Sequence, residues 1–234
     1  MDAILLCAGK GTRLRPLTDR IPKPLVPLAG SSPLERSLHI LPARIDRVIL
    51  VVGHLGHVIQ ERIGSYSQGR DVVYVEQKPL NGTGGALRQA RMHIRSELFL
   101  VMNGDDLYDQ EDLRKLAADG PALLTLERAL DRMIDSWKIG DDGSLQDLIP
   151  SVPGASARIN IGAYVLDRRW FGTSPVRVPG KTDEWSLPHA IPQLIADGVR
   201  IRAQQASFWM PVGTPEELAS AEAVLAKSLE AKAG

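Results

Sequence analysis

Ala3 to Gly30 reads AILLCAGKGTRLRPLTDRIPKPLVPLAG, and its opening decides the fold. The apolar run Ala3-Ile4-Leu5-Leu6-Cys7 has the length and continuity of a short buried strand. It breaks at once into Ala8-Gly9-Lys10-Gly11-Thr12-Arg13. Glycine tolerates φ > 0 and close approach of a ligand, so Gly9 and Gly11 are expected to turn successive N–H groups into one anion-binding concavity. Arg13 adds a planar fork suited to phosphate oxygens. Lys23 sits between Pro22 and Pro24, whose fixed φ aims its ammonium. Strand, glycine loop, arginine and lysine form a phosphate-holding arrangement. It is neither a GxxxxGK[ST] loop nor a GxGxxG fingerprint, because Leu14 holds the third glycine position.

The rest of the chain sets bounds on this reading. It has 234 residues, 44% hydrophobic and 24% charged, with a formal net charge of +0. That is the size and balance of one α/β domain over residues 1–234. A neutral chain gives no electrostatic reason to bind nucleic acid or an acidic membrane surface. Cys7 is the only cysteine, so no intrachain disulfide forms, and its place in an apolar strand predicts an inert buried thiol. No signal pattern and no long apolar run are present, which predicts a soluble cytoplasmic protein with no membrane contact. No internal repeat is visible, hexapeptide repeats included. The oligomeric state stays open, a homo-oligomer included.

Further strands are expected at Arg47–Val52, Asp71–Glu76, Leu98–Met102, Ala122–Leu126, Arg158–Leu166 and Val199–Ala203. Continuous apolar runs such as Arg47–Val52 indicate burial on both faces, as in a parallel sheet. Helices are expected at Ser31–Leu41, from His57 to about Gly64, from near Ala86, and at Asp109–Ala118 and Leu187–Ala196. A last one is expected at Pro215–Lys232, with Thr214 as its cap. Asp131–Pro153 reads as a loop or hairpin turning at Asp141-Asp142-Gly143-Ser144. His54 and His57 read as loop and helix-start residues, since no third ligand lies near them in sequence. Asp105 follows the strand that ends at Met102. Ligands of open α/β sheets bind beyond the carboxyl ends of strands, so its carboxylate is placed for a phosphate-bound cation.

GKGTRLRPLT followed by PKPLVP resembles the opening of the sugar-1-phosphate nucleotidyltransferases, also called nucleotide-sugar pyrophosphorylases. The resemblance covers most of the chain. It implies a Rossmann-like, mainly parallel sheet flanked by helices, with a small sugar-binding lobe. The implied substrates are an NTP and a sugar 1-phosphate, joined to an NDP-sugar with release of pyrophosphate, and the implied cofactor is Mg²⁺. By the same resemblance Leu6, Ala8, Gly9, Gly11 and Thr12 hold the nucleotide, and Arg13 and Lys23 neutralise its phosphates. Gln77, five residues before Gly82 in a second glycine-rich loop, meets the base. Asp105 binds the metal. Asn160, in the Asn160-Ile161-Gly162-Ala163-Tyr164-Val165-Leu166-Asp167 stretch, and Glu184 meet the sugar.

Two departures from the family pattern fall late in the chain. A metal-binding aspartate is usual in a W-x-D-x-G-T stretch, but Trp209-Met210-Pro211-Val212-Gly213-Thr214 has Pro211 in its place. Where the family has its sugar-phosphate motif E-K-P, this chain has Gln146-Asp147-Leu148-Ile149-Pro150, without a lysine, leaving Arg158 and Lys181 as candidates by location. Asp183 or Glu184 would be the substitute metal ligand. Asp106 reads as a helper of Asp105 or as the cap of the next helix. These departures keep two other readings open. One is a cytidylyltransferase for a non-sugar phosphate such as choline phosphate. The other is a catalytically inactive regulatory protein that binds a nucleotide or NDP-sugar.

Overall fold

The computed structural model describes residues 1–233. In chain order the strands are β1 (Asp2–Cys7), β2 (Arg47–Val52), β3 (Tyr66–Ser67), β4 (Arg70–Glu76), β5 (Leu98–Asn103), β6 (Asp106–Tyr108) and β7 (Ala122–Ala129). They continue with β8 (Ile134–Ile139), β9 (Leu145–Ser151), β10 (Ser156–Asp167), β11 (Val176–Arg177), β12 (Trp185–Ser186), β13 (Arg202–Gln205) and β14 (Trp209–Pro211). The helices are α1 (Pro33–His39), α2 (Gly56–Ile63), α3 (Gly82–Ala90), α4 (Gln110–Leu116), α5 (Ile191–Ala196) and α6 (Pro215–Ala233). The main sheet runs β13-β7-β10-β5-β1-β2-β4-β3, with β8 on β10 and β9 on β8. β5, β1, β2 and β4 are parallel neighbours, as are β13 and β7. β10 runs antiparallel between β5 and β7. The sheet is therefore mainly parallel but mixed.

The central strands are apolar on both sides because both sides are covered. Ala3, Leu5, Cys7, Leu50, Leu100 and Met102 face one way, onto Leu34 and Leu38 of α1 and Leu113 and Leu116 of α4. Ile4, Ile49, Val51, Phe99 and Val101 face the other way, onto Ala86, Leu87 and Ala90 of α3 and Ile191 and Leu194 of α5. A smaller cluster of Leu14, Val26, Leu28, Leu107, Val212 and Ala221 ties the loop after β1 to β6 and α6. That cluster fixes the glycine loop against the chain's last third. No helix among the described residues is long and apolar enough to cross a membrane.

The local signals placed most elements. Ser32 accepts from the Glu35 N–H at 3.3 Å and caps α1, with Pro33 at its first position. Asp109 caps α4 through the N–H groups of Glu111 and Asp112. Asp131–Pro153 holds the β8–β9 hairpin, with Gly143 at φ +75 in its turn. Three features differ from the expected elements, the first of them a strand with no expected counterpart at all. β3 pairs with β4 across Gln68 and Gly69, both at positive φ, a hairpin geometry that Gln-Gly announces weakly. β13 begins at Arg202, later than expected, because Val199 and Ile201 are buried in the approach and the Ile201 carbonyl accepts from Leu145 N–H at 2.8 Å.

The third correction concerns the second glycine loop. α3 starts at Gly82, not near Ala86, so Gly82–Gly85 are its first turn. Glycine costs about 1 kcal/mol per helical position relative to alanine, and here packing outweighs that cost. A Cβ on Gly82, which sits at φ +86, would lie 2.5 Å from the Trp185 carbonyl. One on Gly84 would lie 3.0 Å from the Ser186 backbone. The glycines let β12 lie directly on the helix, where Trp185 N–H donates to Asn81 O at 2.6 Å. A comparable requirement bends β10. Gly162 stands at φ +77 and the β10–β7 register shifts between Asn160 and Tyr164. A Cβ on Gly162 would overlap the Asn103 side chain.

Candidate active site

A cleft of about 750 Å³ opens beyond the carboxyl ends of β1, β4 and β5. The glycine loop forms one wall. Gly11 has φ +62, and a Cβ there would lie 2.9 Å from Lys23 Cβ and 3.0 Å from Thr18 Cγ2. Its glycine is thus required twice, by backbone and by contact. Thr18 Oγ1 donates to the Gly11 carbonyl at 2.8 Å and locks the turn. Gly9 does not take positive φ, contrary to expectation; a Cβ on it meets nothing within 4 Å. Among the described residues the N–H groups of Gly9 to Arg13 have no acceptor, and all five residues line the cleft. A row of free N–H groups on a concave wall is an anion site.

Lys23 lies under this loop, in a 3₁₀ turn that follows the extended Pro22. Its ammonium ion-pairs with Asp105 Oδ2, both groups partly buried on the cleft wall. Arg13 reaches across to the last third of the chain. A Cβ on Gly213 would sit 2.8 Å from Arg13 Nη2 and 2.9 Å from Glu217 Oε2, so glycine there makes room for the guanidinium. Glu217 accepts from Gly213 N–H at 2.7 Å, and Thr214 caps α6 through Glu217 N–H at 3.2 Å.

Asp106 is not a helix cap. It opens β6, faces Pro211 of β14 in register, and is 6% exposed. Its Oδ2 accepts from Asn103 Nδ2 at 3.0 Å and Trp209 Nε1 at 3.3 Å. Burial, then the neighbouring Asp105 charge, push its carboxyl up to about 7. Burial likewise raises the Cys7 thiol well above its ordinary range, as an inert core cysteine requires.

The second glycine stretch forms another part of the wall. Gln77 is buried, and its Nε2 donates to Asn81 Oδ1 and Gly82 O, each at 3.0 Å. The Gly82 carbonyl can only accept, so it fixes which way the amide points. Both amide hydrogens are spent there, and the Gln77 carbonyl oxygen remains as an acceptor. Leu6, Ala8, Gly82, Thr83 and Glu184 also line the cleft.

The structure thus gathers Leu6, Ala8, Gly9, Gly11, Thr12, Arg13, Lys23, Gln77, Gly82, Asp105 and Glu184 on one cleft. Asn160 is not on its wall; its Oδ1 accepts from Gly162 N–H at 3.3 Å, inside the β10 kink. Arg158, Lys181 and Asp183 are also off the wall. Arg158 pairs with Glu127 at 3.4 Å and Lys181 with Glu184 at 3.7 Å. Wall residues without a sequence signal include Thr83, Arg128, Arg132, Trp209 and Glu217. Trp209 has no role of its own in the Trp209–Thr214 stretch, and Arg128 and Arg132 fall just after the expected Ala122–Leu126 strand and just inside the Asp131–Pro153 excursion.

The metal question turns on Asp105. No group of three or more His, Cys, Asp or Glu among the described residues forms a metal cage. One partly exposed carboxylate beside a phosphate-holding loop is nevertheless the donor set Mg²⁺ takes when substrate phosphates and water complete its shell. The residues present fit that ion.

A family model described as nucleotidyl transferase matches residues 2–123. The chain belongs to the nucleotidyl transferase family. Its relatives within that family are sugar-1-phosphate nucleotidyltransferases. It is 31% identical to the bifunctional protein GlmU of Methanococcus aeolicus over 98% of this chain and 56% of that protein. It is 32% identical to the mannose-1-phosphate guanylyltransferase of Mycobacterium tuberculosis over 98% of this chain and 66% of that one. The chain therefore spans about half the length of the GlmU relatives it matches. The crystal structure of a UDP-glucose pyrophosphorylase complexed with UDP-glucose superposes with a TM-score of 0.82, at 21% identity, over 97% of this chain and 98% of that one. That likeness establishes the nucleotidyltransferase's fold.

Proposed function

We propose that this nucleotidyltransferase joins an NTP to a sugar 1-phosphate, forming an NDP-sugar and pyrophosphate with Mg²⁺. The observation that carries the reading is the meeting of the N–H row, Arg13 and the Lys23–Asp105 pair on one cleft with Gln77. An oxygen of the sugar phosphate attacks the α-phosphorus. The bond from that phosphorus to the bridging oxygen breaks, and pyrophosphate leaves in line. No general base is required, because a phosphate monoester is already ionised at neutral pH.

Both reactants are anions, and like charges repel strongly in a cleft shielded from water. The glycine-loop N–H groups and Arg13 hold the triphosphate and stabilise the departing charge. Lys23, held by Asp105, is aimed at the α-phosphate. Asp105 would hold Mg²⁺, which when bound neutralises phosphate charge and aligns the reacting oxygens. The free Gln77 carbonyl oxygen accepts from an N–H on the base edge. Pro211 contributes no ligand, so the reading places the protein's share of the metal site on Asp105.

The test is pyrophosphate release, with and without Mg²⁺, from ATP, CTP, GTP, UTP and dTTP against a panel of sugar 1-phosphates plus choline phosphate. Mg²⁺-dependent release with an NTP and a sugar 1-phosphate is expected. Release with choline phosphate alone moves the acceptor to a non-sugar phosphate. Silence from a protein that still binds an NTP or NDP-sugar overturns the enzyme reading.

A further inference from the structure

The cleft carries cations that the nucleotide does not require. β5 and β7 run in the same direction on either side of β10, and Val101 and Leu123 share Tyr164 as register partner. β5 ends at Asn103, whereas β7 continues to Ala129. Counted from that shared partner, β7 overhangs the carboxyl edge by four residues, about 13 Å at ~3.3 Å per residue. The overhang extends over the edge from which Asp105 projects.

Side chains on this overhang alternate between faces. Glu127 lies opposite Arg158 of β10, and the two form a 3.4 Å ion pair on one face. Arg128 lies opposite Ala157 on the other face and lines the cleft. Arg132, in the connection to β8, lines it too. Neither arginine has a carboxylate within 4.0 Å among the described residues, although Lys181 and Arg158 each do. Arg158 and Lys181, off the wall, are each paired with a carboxylate, and Arg128 and Arg132, on the wall, are not.

We infer that Arg128 and Arg132 form the binding site for the acceptor's phosphate, a phosphate monoester dianion. Two guanidinium groups balance two negative charges. Their planar forks match phosphate oxygens in pairs, which an ammonium does not. The glycine loop, Arg13 and Lys23 hold the triphosphate separately, so the two anions are met by two distinct cationic walls. The inference rests on the reaction proposed above. It also replaces Arg158 and Lys181, the candidates by sequence location.

The test compares the wild-type chain with R128Q/R132Q and R128K/R132K, whose folding is checked by circular dichroism. With the sugar 1-phosphate identified by the pyrophosphate assay, R128Q/R132Q is expected to raise its KM at least about tenfold, one ~1.4 kcal/mol step. KM for the NTP should stay within about twofold, and R128K/R132K should recover part of the loss because charge is kept. A rise in NTP KM with acceptor KM unchanged, or no change in either, overturns the inference. Inorganic phosphate is also titrated into each protein saturated with a non-hydrolysable NTP, so that the glycine loop is filled. Binding at least about fivefold weaker in R128Q/R132Q is expected, on loss of two charge-assisted contacts. Equal binding, or none by the wild type, overturns it. This readout does not need turnover, so an inactive protein would defeat the proposed reaction while the titration still decides the arginine pair.

Discussion

Asp2 and Asp106 are both buried aspartates of this α/β structure, one at the amino end of the central strands and the other just past their carboxyl end. Asp2, 4% exposed at the start of β1, accepts from Arg47 Nε at 3.0 Å, Arg95 N–H at 2.6 Å, Ser96 N–H at 2.9 Å and Ser96 Oγ at 3.1 Å. Burial alone would raise its pKa, but Arg47 and the N–H groups of Ser96 and Arg95 outweigh it and hold the carboxyl below its ordinary value. Asp106 has only neutral hydrogen-bond donors, and burial, then the Asp105 charge, push its carboxyl up against the smaller opposing pull of Lys23. The amino end satisfies its charge within the protein. The carboxyl end leaves charges of both signs incompletely matched, and on the proposed reaction the substrates would supply the remainder.

The largest effect should come from the satisfied end. Asp2→Ala leaves the Arg47 charge buried without its partner and should cost about 4 kcal/mol in urea unfolding, with turnover of the folded fraction unchanged. A loss under about 1 kcal/mol, the range of an exposed pair, would mean that Asp2 is no anchor. The same carboxylate sets a pH test. Its folded pKa lies below the unfolded one, so its stabilisation is present above the unfolded value and is lost as pH falls through the folded value. The deficit of Asp2→Ala relative to wild type should therefore shrink below about pH 4, the ordinary carboxylate range. A deficit constant from pH 7 to pH 3 would contradict the shift.

At the unsatisfied end, Lys23→Ala should reduce turnover about a hundredfold, comparable to removing one preorganised transition-state donor. Stability should change little, because Asp105 keeps some access to water. Full activity would separate the Lys23–Asp105 pair from the chemistry. Gly11→Ala imposes left-handed strain of about 1–2 kcal/mol and presses on Lys23. Its nucleotide KM should rise more than its acceptor KM, and the reverse would relocate the loop's role. The smallest effect sharpens the comparison most. Asp106→Asn keeps an oxygen for Asn103 and Trp209 while removing a poorly matched charge. At pH 8 without metal it should change unfolding stability by no more than about 1 kcal/mol, in either direction, within the range of many surface changes. A loss as large as that of Asp2→Ala would make the two ends alike.

What could be read from the sequence was whatever depended on neighbours in the chain. β1, the glycine loop, Lys23 between prolines and Asp105 after β5 all declare themselves within a few residues. The missed features depend on distant partners. Gly82–Gly85 look like a loop until β12 is seen to lie on them. Asn160 sits in the expected motif, but the Gly162 bend turns its carboxamide into the strand rather than onto the cleft. Arg128 and Arg158 are equally basic in sequence. Only the β7–β10 register assigns one to an ion pair and the other to the cleft.

The bend at Gly162 also makes the two parts of the cleft separately editable. The nucleotide wall is built on parallel strands buried on both faces, where changing one side chain disturbs two layers. The overhanging ends of β7 and β10, with the β8–β9 hairpin, lie beyond a break in register and carry many exposed positions. Substitutions at those exposed positions leave the parallel core untouched, whereas Trp137 and Leu145 of the hairpin are packed into it. On the proposed reaction, a chain of this design can acquire a new acceptor by changing the exposed positions of one hairpin and two strand ends, with the triphosphate wall left as it was.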